Sequence, residues 1–225
     1  PGFDVIDETF EDYTRSAYSQ VNDSVGGDFF VGAGSTPFFK VDYTDEEGEE
    51  YTYIVNDTLT QAFVEANGST TALLPTMPTD TGVNGFSEAF AINESLQVAG
   101  WGSVSLTEDY QTDIDECLDD ETRGETPVEL CIYNLGRSIT SGSYRRAVTW
   151  QLDAQGNVLS STQYGMVFEP AEDEDSTGYT SRARGINNNG IAVGTSHTDE
   201  RIIYTLPGGS AAYYANIVAA TFANG

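Results

Sequence analysis

The sequence predicts an all-β fold, a β-propeller-like array of about three four-stranded antiparallel units, and three observations carry that expectation. A phrase recurs without a gap: Ser87-Glu-Ala-Phe-Ala-Ile-Asn93-Glu-Ser-Leu-Gln-Val-Ala-Gly100 matches Ser181-Arg-Ala-Arg-Gly-Ile-Asn187-Asn-Asn-Gly-Ile-Ala-Val-Gly194. A looser copy, Ser16-Ala-Tyr-Ser-Gln-Val-Asn22 followed by Val31-Gly32, lies near the start. Repetition at this scale signals one small unit stacked several times. Short apolar runs are punctuated by Gly, Asn, Asp and Ser, as strands and tight turns require. Finally, 39% hydrophobic residues, with 13 Tyr and 11 Phe, supply material for a core.

Each element follows in order. The repeated phrase reads as strand, turn, strand. Asn187-Asn-Asn-Gly190 offers residues that tolerate a left-handed turn, and Ile191-Ala-Val-Gly194 begins the return strand. Gly100 and Gly194 sit inside that strand, where a missing side chain permits close backbone approach. A second phrase supplies two more strands: Gln61–Gly68 with Thr71–Leu74, Arg146–Trp150 with Gly156–Leu159, and Arg201–Leu206 with Ala211–Val218 after Gly208. The units fall at about 14–75, 85–165 and 180–222, within one repeat domain spanning 1–225. Unequal spacing of Asn22, Asn93 and Asn187 marks insertions. In the first unit, Phe38–Tyr43 and Tyr51–Val55 flank Asp45-Glu-Glu-Gly-Glu-Glu50, an extra hairpin with a charged tip. In the second, residues 104–143 form a polar, acidic loop holding both cysteines, within which Pro127–Tyr133 is either a short helix or a strand. Glu172-Asp-Glu-Asp175 links the second unit to the third.

Ala-x-x-Ile-Asn-x-x-Gly-x-Val-x-Gly-x-Ser followed by a His/Arg-Ala-Phe-x-Trp phrase resembles the HAF (His-Ala-Phe) repeat of exported bacterial proteins, especially repeat proteins of marine bacteria without an established activity. Gln61-Ala-Phe63, Arg146-Ala-Val148 and Arg201-Ile-Ile203 replace the tripeptide. The resemblance implies a fold and export rather than an activity. Three blades cannot close a propeller of four or more. Together with a start at Pro1, without Met or a signal peptide, this gives the expectation of a processed piece of a longer protein. Its remaining repeats would be partners of this chain.

Charge and cysteines bound the function. The net charge of −27 comes from 36 acidic residues against nine Lys plus Arg. Such a field repels nucleic acid and anionic membranes, and attracts divalent cations. No run of 18 apolar residues exists to span a membrane. Cys117 and Cys131 lie close in sequence in a lysine-poor acidic chain, which predicts a disulfide and a secreted, periplasmic or cell-surface location.

The densest oxygen cluster is Asp113, Asp115, Glu116, Asp119 and Asp120. Ca²⁺ needs six to eight oxygens, so this stretch is the candidate metal site and Ca²⁺ the only cofactor suggested. The EF-hand spacing is absent, so a solvated acidic loop is the competing reading. Asn22, Asn93 and Asn187 either cap their own turns or line a shared face. Trp101 and Trp150 read as packing residues rather than a sugar platform. His197, the only histidine, reads as an exposed turn residue, because no Gly-x-Ser-x-Gly elbow provides a nucleophile. No catalytic residue is singled out. The expected function is a non-enzymatic exported or cell-envelope binding or structural module, with a glycan or envelope protein as partner. The alternative is a carbohydrate-active hydrolase using a carboxylate pair.

Overall fold

A computed structural model describes residues 7–10, 13–58, 60–77, 83–136, 142–166, 179–205 and 211–222. The acidic run 172–175 lies outside them. β1 (Asp7–Phe10) and β2 (Tyr13–Ser16) form a hairpin. β3 (Ser19–Val25), β4 (Phe29–Gly34), β7 (Gln61–Ala66) and β8 (Ser69–Leu73) form an antiparallel sheet in that order. β5 (Phe39–Thr44) and β6 (Glu50–Val55) stand out from it as a separate hairpin. The second sheet orders β9 (Ser87–Ile92), β10 (Gln97–Leu106), β11 (Ser143–Leu152) and β12 (Val158–Gln163) as a meander. The third has β13 (Ser181–Ile186), β14 (Ala192–Thr205) and β15 (Ala211–Phe222). The fold is thus mostly β, in antiparallel sheets, and no closed propeller is identified among the described residues.

Three expectations need correction. The third unit has three described strands, because Arg201–Thr205 prolongs β14 instead of starting a new strand. The position matching Ala62 and Ala147 is therefore Ala219, in β15. Second, the segment between β10 and β11 is helical: α1 (Glu108–Leu118), α2 (Asp120–Arg123) and α3 (Val128–Gly136). Thr107 caps α1, its side chain accepting from the Tyr110 amide, and Glu108 and Asp109 in the first turn complement the helix dipole. Tyr110, Ile114 and Cys117, spaced four and three apart, form its buried face. Pro127 precedes α3, and its carbonyl accepts from Leu130 and Cys131.

The third correction is one of phase. Each first strand carries a bulge where one residue is skipped: Asn22 between β3 and β4, Phe90 between β9 and β10, Arg184 between β13 and β14. This register sets Ser19, Ser87 and Ser181 in equivalent places, and likewise Gly32, Gly100 and Gly194. Asn22 therefore matches Phe90 and Arg184, whereas the first-unit counterpart of Asn93 and Asn187 is Val25. The glycines are required sterically. A Cβ on Gly32, Gly100 or Gly194 would lie 1.8, 2.1 or 1.8 Å from the carbonyl oxygen of Gln20, Glu88 or Arg182.

Polar junctions repeat with the same register. The buried Ser87 hydroxyl accepts from the Ala62 amide (3.0 Å) and donates to the Leu73 carbonyl (2.8 Å) of the preceding sheet. Ser181 accepts from Ala147 (2.9 Å) and donates to Gly165 (3.3 Å) in the same manner. Apolar packing joins the same sheets. Val31, Ala62, Val64 and Leu73 of the first meet Ala89, Val98, Val148 and Trp150 of the second. Between the second and third sheets the contact uses Ala99, Ala147, Ala183, Ala192 and Phe222.

Candidate functional site

One cavity is a cleft of about 490 Å³. It forms where the two insertions meet. The β5–β6 hairpin packs on α3 through Val41, Val55, Leu130 and Tyr133, and Arg15 from β2 donates to the Tyr133 hydroxyl at 3.0 Å. Asn56 and Asp57, just past β6, make one wall. Val128, Glu129, Ile132 and Tyr133 of α3 make another, and Leu74, Pro75, Met77, Val83 and Asn84 complete the lining. This mixture of apolar walls and a few polar groups is the composition of small-ligand sites.

Asn56 is the distinctive polar group. It is 4% exposed, and its amide nitrogen donates to the Thr58 carbonyl at 2.8 Å and the Thr36 carbonyl at 3.4 Å. Those bonds fix which end of the amide is oxygen. Oδ1 is buried without a hydrogen-bond partner among the described residues. Leaving such an acceptor unmet costs about 1–3 kcal/mol. Among the described residues the lining holds two carboxylates, Asp57 and Glu129, and no cation. Sequence reasoning missed Asn56 because its position depends on segments more than 70 residues apart meeting in space.

The five acidic residues proposed for Ca²⁺ stand elsewhere, exposed along α1 and α2 rather than in a loop. Asp115 accepts from Gln111 (2.8 Å), Asp119 caps α2 by accepting from the Glu121 amide (2.9 Å), and Asp120 pairs with Arg123. Asp113 and Glu116 occupy other positions on the same helix. Among the described residues, no group of three or more His, Cys, Asp or Glu side chains is placed to hold a metal ion. Cys117 and Cys131 do meet at disulfide distance, with Cα atoms 5.6 Å apart, joining α1 to α3 beside the cleft.

The repeated asparagines serve their turns. Asn93 Oδ1 accepts from the Ser95 and Gln97 amides at 3.0 and 2.9 Å. Asn187 Oδ1 accepts from Asn189 and Ile191, both at 3.0 Å. Asp45 and Asp153 make the same two bonds in their own hairpins. Asn93 additionally donates to the Asn187 carbonyl at 2.7 Å, tying adjacent turns.

His197 is not an exposed turn residue. It lies half-buried within β14, and Nδ1 accepts the Thr180 amide at 2.8 Å. Ser35 and Ser103 do the same job in the other units, accepting from Tyr18 and Phe86 at 3.1 and 3.0 Å. The histidine therefore replaces a junction serine. Trp150 is core, 1% exposed, with Nε1 donating to the Leu74 carbonyl.

Residues 3–216 match the family model described as "Protein of unknown function (DUF3466)", so the chain belongs to that family. No curated protein and no solved structure matches it.

Proposed function

We propose that this family member is a non-enzymatic binding module, exported or held at the cell envelope, whose repeats serve as scaffold and whose insertions hold the ligand. The carrying observation is that a cleft of about 490 Å³ is walled by α3 of the second insertion, by the segment just past the β5–β6 hairpin and by the β8–β9 connection rather than by the repeated strands. Every repeated polar feature described above is spent on turns and junctions. The cleft's own polar groups, Asp57, Glu129 and the unpartnered Asn56 acceptor, call for a ligand that donates hydrogen bonds. The −27 field and the two lining carboxylates disfavour an anion there. A neutral oligosaccharide fits this chemistry, its hydroxyls donating and its apolar ring faces resting on Leu74, Pro75 and Ile132. The cysteine pair at disulfide distance supports an oxidising compartment. Among the described residues no helix is long and apolar enough to cross a membrane.

A second reading, hydrolysis by a carboxylate pair, draws on Asp57 and Glu129 lining one cleft. A neutral-glycan array run beside a glycoside-hydrolase substrate panel separates the two. The binding account expects retained, unmodified glycan. Turnover that disappears in both Asp57→Asn and Glu129→Gln would replace it with the hydrolase.

A further inference from the structure

Alternation along the β5–β6 hairpin sends Phe39, Val41, Tyr43, Tyr51, Tyr53 and Val55 to one face, with Tyr43 opposite Tyr51 and Val41 opposite Tyr53. At the base of that face, Leu130 and Tyr133 of α3 pack on Val41 and Val55. Toward the turn the face is open. Tyr51 and Tyr53 are 38% and 40% exposed, so two large aromatic side chains stand in solvent side by side on one strand. The half-buried Tyr43 stacks on both, with ring centroids 5.2 and 6.1 Å apart and planes within 21° and 19°. One cross-strand pair suffices to brace a two-stranded hairpin. The third ring adds apolar area on the exposed end.

The turn beside these rings is acidic. Asp45 shapes it, accepting from the Glu47 and Glu49 amides at 3.0 and 2.9 Å. Glu46, Glu47, Glu49 and Glu50 are exposed around it. With Asp42, residues 38–55 carry six carboxylates and one base, Lys40. Lys40 belongs to the opposite face of the hairpin and pairs with Glu8 at 3.8 Å. Nine basic residues against 36 acids in the whole chain leave the local excess standing.

We infer that this tyrosine face docks a basic, arginine-bearing segment of a partner protein. Charge complementarity selects the sign, because carboxylates on the rim steer a cationic chain in and fix its register. The rings select arginine over lysine. A guanidinium plane stacks on a phenol ring and is more weakly hydrated than an ammonium group, so it gives up less on leaving water. Tyrosine offers wide, rigid contact area with little conformational entropy to lose. This occupant is distinct in charge from the neutral ligand proposed for the cleft, and the inference does not rest on that reading.

Fluorescence anisotropy tests this with labelled dodecapeptides alternating Gly with Arg, Lys or Glu. Saturable binding of the Arg peptide is expected, with weaker binding of the Lys peptide and none of the Glu peptide. Tyr51→Ala and Tyr53→Ala change exposed side chains and leave the net charge at −27. Each is expected to weaken the Arg peptide about fivefold, the scale of an exposed cation–π contact. Tyr51→Phe should bind like the parent, and Tyr51→Ile, which keeps a strand-forming side chain, should weaken binding as alanine does even if alanine lowers Tm. Unchanged affinity in the Tyr51 and Tyr53 variants would mean that the peptide senses only the protein's overall field, and would overturn the inference. So would the absence of saturable Arg-peptide binding. Cellohexaose binding that disappears in Tyr51→Ala would replace the peptide with a glycan. Asn84→Trp, which fills the cleft, should leave the peptide titration unchanged, and a loss there would move the peptide into the cleft and overturn the assignment to this face.

Discussion

Replacing Gly100 by Ala probes the register on which the repeat rests. The added Cβ would stand 2.1 Å from the Glu88 carbonyl oxygen and 2.8 Å from Trp150 Cζ3. Contacts under 3.0 Å essentially do not occur, so β9 and β10 must part by several tenths of an ångström or more, against a fully buried tryptophan. Overpacking costs about 1–3 kcal/mol, and one or two weakened ladder hydrogen bonds add about 1 kcal/mol each. The expected loss is roughly 2–5 kcal/mol, a fall in Tm on the order of 10 °C for a chain of this size. Gly185→Ala is the matched control. Its Cβ meets only Val193 Cγ2 at 3.7 Å, so it should be neutral or gain about 0.4–1 kcal/mol from a stiffer unfolded chain. Thermal and urea denaturation of the two variants decide the matter. If Gly100→Ala melts within about 2 °C of Gly185→Ala, the close approach at the bulge is wrong and the register argument fails with it.

Three further outcomes follow from the same geometry. His197→Ser should retain stability, because serine accepts the equivalent amide in the other two units, whereas His197→Leu strands the Thr180 amide and should cost about 1–3 kcal/mol by urea denaturation. Millimolar Ca²⁺ should raise Tm no more than NaCl of equal ionic strength, since the acidic residues of α1 and α2 do not converge; a larger Ca²⁺ response would restore the metal-site reading. Asp153 is held below its ordinary carboxyl pKa by its side-chain and backbone hydrogen bonds from Asn157, with the Gln155 and Gly156 amides adding to them. A depressed folded-state pKa contributes stability that is present above the unfolded value, about 3.9, and is lost as pH falls through the folded value. Asp153→Asn should therefore flatten the acid limb of the stability curve relative to the parent, and identical limbs would remove the turn from the account.

Local rules made the strands and turns legible. Asn187-Asn-Asn-Gly190 reads as a turn because a side-chain acceptor and a left-handed residue are both present, and the structure gives Gly190 φ +79°. Leu96 occupies the matching position at φ +58°, which the ungapped phrase revealed and residue type would not. The phase of the first copy was not legible. Matching Val-Asn22 to Ile-Asn93 follows residue identity, while the true alignment is set by a bulge and by the glycine facing it. The helices left a signal that the acidic composition obscured, namely the Thr107 cap and the spacing of Tyr110, Ile114 and Cys117. His197 looked like an exposed residue because a serine's role at a sheet junction leaves no mark on its substitute. The cleft had no local signature, because its walls come from the segment past β6, the β8–β9 connection and α3, which only the folded sheets bring together.

The claim that function resides in those insertions is tested most directly by measuring glycan affinity for the parent and for Asn84→Trp, an exposed residue of the cleft lining whose enlargement fills the space without entering the core. The expected result is saturable binding of a neutral oligosaccharide by the parent and a loss of at least tenfold in the variant, with Tm unchanged. Equal affinity in the two proteins would place the ligand outside the cleft and contradict the division between scaffold repeats and binding insertions.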